Sequence, residues 1–135
     1  AGILSKEFVS GRKILNCHPG VIPAVRGLDS FKWAIYNGSP LGNTLHYIVE
    51  DVDNGPVLSV VRTEVYRTDS LHTLARRHYE NEIFITTHFD SYMANRTMDF
   101  EQIEIADATR RMPAALEEKL EYKLEEYKAG KVSFL

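Results

Sequence analysis

Three short runs rich in β-branched and aromatic residues alternate with segments whose apolar residues repeat at helical spacing. That alternation limits the fold more than any other feature of the chain. Lys13–His18 (KILNCH), Thr44–Val49 (TLHYIV) and Val57–Tyr66 read as strands. Ser5 is placed to cap one helical turn ending at Val9, and Asp29 or Ser30 to cap a helix over Phe31–Asn37 that Gly38 ends. Asp69-Ser70 opens the longest helical pattern, running to about Ala94, with Leu71, Leu74, Ala75, His78, Glu82, Ile85 and Phe89 near one stripe. A short strand is expected at Gln102–Ile105. A helix is expected over residues 113–129, where Leu116, Leu120, Leu124 and Tyr127 repeat. Like charges stand four apart on it (Glu117 and Glu121, Lys119 and Lys123), so it needs a surface to pack on. Strands alternating with helices predict an α/β fold with a mostly parallel sheet and flanking helices. Three or four strands are few for such a sheet, and Lys13–His18 as its first strand leaves an open edge. The expectation is therefore the later half of an α/β domain.

The 135 residues fit one domain. No run approaches the roughly 18 apolar residues of a membrane span. Sixteen basic against nineteen acidic residues, a net charge of −3, give no excess for binding a phosphate backbone. One cysteine, Cys17, excludes an internal disulfide and a cysteine-based zinc site. The start, AGILSKEFVSGRK, lacks a signal-peptide pattern. A reducing, cytoplasmic setting is expected. The chain begins at Ala1 and its first methionine is Met93, so a processed product or a piece of something longer is also expected.

Chemistry concentrates at the C-terminal end of the first strand, where open α/β sheets place their ligands. Asn16 and His18 are two apart and share a face, while Cys17 points into the sheet's packing. A carboxamide beside an imidazole suits acyl chemistry: one polarises a carbonyl oxygen and the other moves a proton. Taken alone, Asn-x-His is more often a polar strand end. The acidic turn Glu50, Asp51, Asp53 precedes Gly55-Pro56. An aspartate there can orient His18 and raise its basicity, although alone such a turn reads as solvated residues capping their own backbone. His46 reads as a packed strand residue. His78 and Glu82 stand four apart on a helix and read as a hydrogen-bonded pair facing a cleft, outside any His-Glu-x-x-His pattern. No metal is indicated.

Asn16-Cys17-His18-Pro19, Pro23, Arg26-Gly27, Trp33-Ala34-Ile35, Gly38, Gly42, Thr44, His46 and Asp53-x-Gly55-Pro56 form one ordered pattern. It resembles the catalytic half of the folate-dependent formyltransferases, over about Ala1 to Tyr92. Those enzymes act on glycinamide ribonucleotide, amino sugars or methionyl-tRNA. The resemblance implies the C-terminal half of a Rossmann-like formyltransferase domain with its N-terminal half absent. Residues 1–135 would be a single partial domain, 1–95 the core with the active site and 96–135 a C-terminal extension. It implies catalytic roles for Asn16, His18 and Asp53, with 10-formyltetrahydrofolate as donor, a small primary amine as acceptor, and no metal. Leu4, Ile14, Ile48, Glu50, Asp51 and Val52 would line the folate, and Pro19 and Glu82 the acceptor. Gly20 replaces the serine that usually follows His-Pro, and Val60 stands where many members have glutamine. An amino-sugar nucleotide is the first expected acceptor and glycinamide ribonucleotide the alternative. Methionyl-tRNA comes third, because the charge is against nucleic acid. A non-catalytic binding module of the same fold is the rival. The open edge is expected to be covered by a further segment or by a neighbouring chain, as in a homo-oligomer.

Overall fold

The computed structural model describes residues 4–50, 55–95 and 105–131. In chain order these form α1 (Lys6–Val9), β1 (Leu15–His18), α2 (Ser30–Asn37), β2 (Gly42–Tyr47), β3 (Val57–Arg62), α3 (Leu71–Thr87), α4 (Phe89–Ala94), α5 (Ala114–Glu117) and α6 (Leu120–Lys131). Of the expected strand at Gln102–Ile105, residues 102–104 lie outside the described residues, and Ile105 is exposed and not in a strand.

The sheet has the order β1-β2-β3, and both pairings are antiparallel. The expectation of a mostly parallel sheet is thereby corrected for the described strands. Residues 48–56 join β2 to β3, fewer than the dozen or so that a parallel crossover needs. The longer link from β1 to β2 carries α2, yet it returns to the end it left. His18 stands opposite Thr44. The Thr44 hydroxyl donates to Gly20 O (2.7 Å) and accepts from Ile22 N (3.1 Å). The chain therefore enters β2 beside the end of β1.

Side chains alternate across this sheet. Cys17 and Leu45 face α3 and pack with Leu58 and Ile85. A second cluster forms where α2, α3 and α6 meet, around Phe31, Ile35, Leu41, Leu74, Leu120 and Leu124. The surface that α6 requires is thus α2. Tyr127 donates to Ser39 O (2.7 Å), and Lys128 Nζ donates to Arg67 O and Asp69 O (3.1 and 3.0 Å). Residues 106–112 run along the loop before α2, with Ala106 N bonded to Pro23 O, Thr109 N to Arg26 O and Met112 N to Asp29 Oδ2. Asp29 thus accepts from Met112 N and makes no side-chain cap on α2.

The long helical pattern breaks at His88 instead of running unbroken to Ala94. Thr86 and Thr87 bond back to the carbonyls of Glu82 and Ile83 (2.8 and 3.0 Å), a competition that bends helix ends. The start of α3 is the opposite case. Ser70 and Thr73 form a capping box. Asp69 takes two bonds from Arg77 (2.7 and 2.8 Å), one from Tyr66 N (2.8 Å) and one from the Thr73 hydroxyl (3.0 Å). Burial alone would push this carboxyl up, but these donors hold its pKa below the usual range. Asp69→Asn keeps the shape and removes the charge from a side chain only 3% exposed. Urea unfolding at pH 7 is expected to show a loss of about 3 kcal/mol, since one partner of a buried pair is removed.

Candidate active site

The β1–β2 register sets Asn16 opposite His46 and His18 opposite Thr44. Four polar side chains thereby face one way at the C-terminal end of β1. The amide Nδ2 of Asn16 lies 3.1 Å from His46 Nε2. An amide N–H only donates, so Nε2 must carry the lone pair and Nδ1 the proton. Nδ1 indeed lies 3.0 Å from Tyr47 O, which only accepts. His46 therefore fixes the plane of the Asn16 carboxamide. The amide's second N–H has no partner among the described residues, and Asn16 is half-buried.

His18 is buried, with Nε2 3.0 Å from Val25 O and 3.1 Å from Ser30 Oγ. Ser30 donates its proton to Gly27 O (3.0 Å), so Nε2–H donates to Val25 O and Ser30 Oγ shares it. Any proton that His18 exchanges with a reacting group passes through Nδ1. The loop closes tightly on this ring. A Cβ at Gly20 would stand 2.8 Å from His18 Nε2 and 2.7 Å from Val25 O. Glycine in place of the usual serine thus has a steric cause in this chain.

The turn after β2 shows the same economy of space. A Cβ at Gly55 would lie 1.6 Å from Tyr47 O, so only glycine fits, and Tyr47 N bonds to Pro56 O (3.1 Å). Asp53, Asp51 and Val52 lie outside the described residues. The other residues expected at the folate site fall near β1 and the end of β2. Ile14 and Ile48 are half-buried neighbours, joined by Ile48 N to Ile14 O (2.8 Å). Glu50 meets Lys6 at 3.1 Å, an exposed pair two residues along the chain from exposed Leu4.

Pro19 is half-buried at the site's edge, and its carbonyl accepts from His78 Nε2 (3.2 Å). Glu82 sits elsewhere. It lies on the α3 side of β1, beside Cys17. With Tyr79, Ile83, Thr86 and Thr87 it lines a shallow groove of about 330 Å³. Burial pushes its carboxyl pKa up. Burial, then the charge of Glu82, drives the Cys17 thiol up to about 12, so Cys17 is no nucleophile at neutral pH.

His78 and Glu82 do not form the expected pair. The His78 ring bonds to Pro19 O and to the Thr63 hydroxyl (2.8 Å). No three His, Cys, Asp or Glu side chains gather as a metal site among the described residues. No helix among them is long and apolar enough to cross a membrane. Burial, with a smaller effect from nearby His18, lowers the His78 pKa to about 4. Its folded value thus lies below the unfolded value of about 6.5, so the fold favours the neutral ring. The stability this contributes is complete above pH 6.5 and is lost as pH falls towards 4. The unfolding free energy from urea titrations is expected to drop across that window by about 3 kcal/mol in wild type. In His78→Gln the curve should be nearly flat there.

Sequence reasoning missed His46, Ser30 and the Val25 carbonyl. Only the strand register turns His46 from a packed histidine into the partner of Asn16.

Residues 1–88 match the model of the formyl transferase family. The match covers most of the chain, and the chain belongs to that family. It is 36% identical over 73 residues to phosphoribosylglycinamide formyltransferase of Bacillus subtilis, covering 53% of this chain and 37% of that protein. It is 39% identical over 64 residues to GDP-perosamine N-formyltransferase of Brucella melitensis, covering 47% of this chain and 25% of that one. The fold matches that of the formyltransferase PseJ from Anoxybacillus kamchatkensis, solved with a formamido sugar nucleotide and tetrahydrofolate. That match has a TM-score of 0.65 at 21% identity and covers 81% of this chain and 59% of that one. The chain thus spans well under half the length of both curated relatives.

Proposed function

We propose that this chain takes part in formyl transfer from 10-formyltetrahydrofolate to a small primary amine. The observation that carries the reading is the pairing of the Asn16 amide, held by His46, with the His18 ring, held by Val25, on one face at the end of β1. The half-buried Ile14–Ile48 wall suits the flat face of a pterin. In this reading Leu4, Glu50, Asp51 and Val52 complete that slot. When bound, the donor supplies the formyl carbon that the amine attacks.

The chain's own groups then act on the charge and the proton. Asn16 donates its second amide N–H to the formyl oxygen as negative charge grows there. His18, protonated at Nδ1, adds a second donor, and the same nitrogen moves a proton between the amine and the donor's nitrogen. Asp53 holds His18 in its charged form or holds a water in the proton path. No step requires a metal.

The amine acceptor is an amino-sugar nucleotide in the first reading and glycinamide ribonucleotide in the second. The Brucella and Bacillus relatives support them about equally. Pro19 flanks either acceptor; Glu82, across the sheet beside Cys17, takes no part in this reading. Initial rates on a panel of 4-amino sugar nucleotides and glycinamide ribonucleotide test the choice. A rate at least tenfold higher on a sugar nucleotide supports the first reading, and the reverse ratio the second. No transfer to any member, with the donor still bound, leaves a binding module.

A further inference from the structure

We infer that His78 is a positioning residue for His18: it grips the carbonyl of Pro19, the next residue in the chain, and so fixes where the His18 ring stands. The catalytic consequence rests on the proposed role of His18, but the geometry does not. His78 is fully buried on α3, and both ring nitrogens are engaged. Pro19 O only accepts, so His78 Nε2 carries the proton and donates to it at 3.2 Å. Nδ1 then accepts from the Thr63 hydroxyl at 2.8 Å, just beyond β3. The ring is therefore a neutral bridge with one defined tautomer, joining α3 and the end of β3 to the loop that leaves β1.

That loop has no slack through which a shift could be absorbed. Gly20 O is held by Thr44, and Val25 N bonds to Val21 O (2.8 Å). The position a Cβ would take on Gly20 is 2.8 Å from His18 Nε2. Val25 O, at the far end of the loop, receives the His18 proton. A histidine that merely filled the core would not need Pro19 as its partner. An apolar side chain at residue 78 would leave Pro19 O and the Thr63 hydroxyl buried and unpaired. The loop would move to find other partners, and the His18 ring would move with it.

The test is ¹⁵N NMR of the histidine rings in this chain at pH 7, with His78→Leu, His78→Gln and Thr63→Val. Wild type is expected to show a single His18 state whose Nε2 proton is held by Val25 O. In His78→Leu the His18 ring nitrogens should shift as that bond loosens. In His78→Gln, whose amide can still donate to Pro19 O, they should return towards the wild-type positions. Thr63→Val removes the partner of Nδ1 without a large cavity, and it decides the matter if His78→Leu does not fold. In the formyl-transfer assay His78→Leu should lower kcat about tenfold with the donor KM within about twofold, and His78→Gln should recover most of it. His18 resonances unchanged in both folded variants would overturn the inference. Absence of transfer in wild type would defeat the proposed function alone, since the ring signals need no turnover.

Discussion

Asn16→Ala is expected to slow single-turnover formyl transfer about 300-fold while donor affinity stays within about twofold. The amide is half-buried and its plane is set by His46, so its second N–H is aimed before substrate arrives. A donor organised in advance costs nothing to reorient as charge develops, and losing one such group typically slows the step by about 10² to 10³. Asn16→Asp separates shape from donation. It keeps the outline, removes both N–H groups and places a negative charge beside the oxyanion, so its loss should equal or exceed that of alanine. Rapid-quench single turnovers, with donor binding measured separately, read the two effects apart. His46→Ala should act through the same group and cost less, because it frees the amide without removing it.

His18→Ala is expected to cost at least about 100-fold in the same assay with little loss of folate affinity, the usual size of a lost proton-transfer group with an electrostatic share added. The ring has a second duty, because it donates to Val25 O inside the loop. The alanine variant should therefore also lose stability, through the unpaired carbonyl and the space left behind. His18→Gln can still donate to Val25 O but cannot carry a proton, so stability should return and the rate should not. An equal loss of rate and of folate binding would instead assign His18 to structure.

Much of this was legible in the sequence, and the omissions have physical causes. The strands at Leu15–His18, Gly42–Tyr47 and Val57–Arg62 overlap the β-branched runs that announced them. Their direction was not legible from alternation, because a period of two looks the same in either pairing. Connection length held the answer for β2 and β3, and the turn of residues 48–56 was too short for a crossover. The Asn16–His18 face was legible from spacing alone. Its supports were not: His46, Ser30 and Val25 come from three other segments, and only the register and the loop's return path bring them in. His78 and Glu82 show the limit of helix periodicity. Four residues apart places them near one stripe, yet α3 turns His78 inward to Pro19 and Thr63 while Glu82 opens to a groove beside Cys17. At the other end of α3, two consecutive threonines bond back to the helix just before it ends at His88, although the apolar stripe in the sequence continues past them.

We propose that a formyl group changes hands on the face carrying Asn16 and His18. Following the carbon itself tests it most directly, with 10-[¹³C]formyltetrahydrofolate at stoichiometric concentration, the amine panel, and ¹³C NMR over one turnover. The labelled formyl signal is expected to move from donor to an amine with the wild-type chain and to stay on the donor with Asn16→Ala. A label that stays on the donor with wild type, or that moves equally fast with Asn16→Ala, would contradict the proposal.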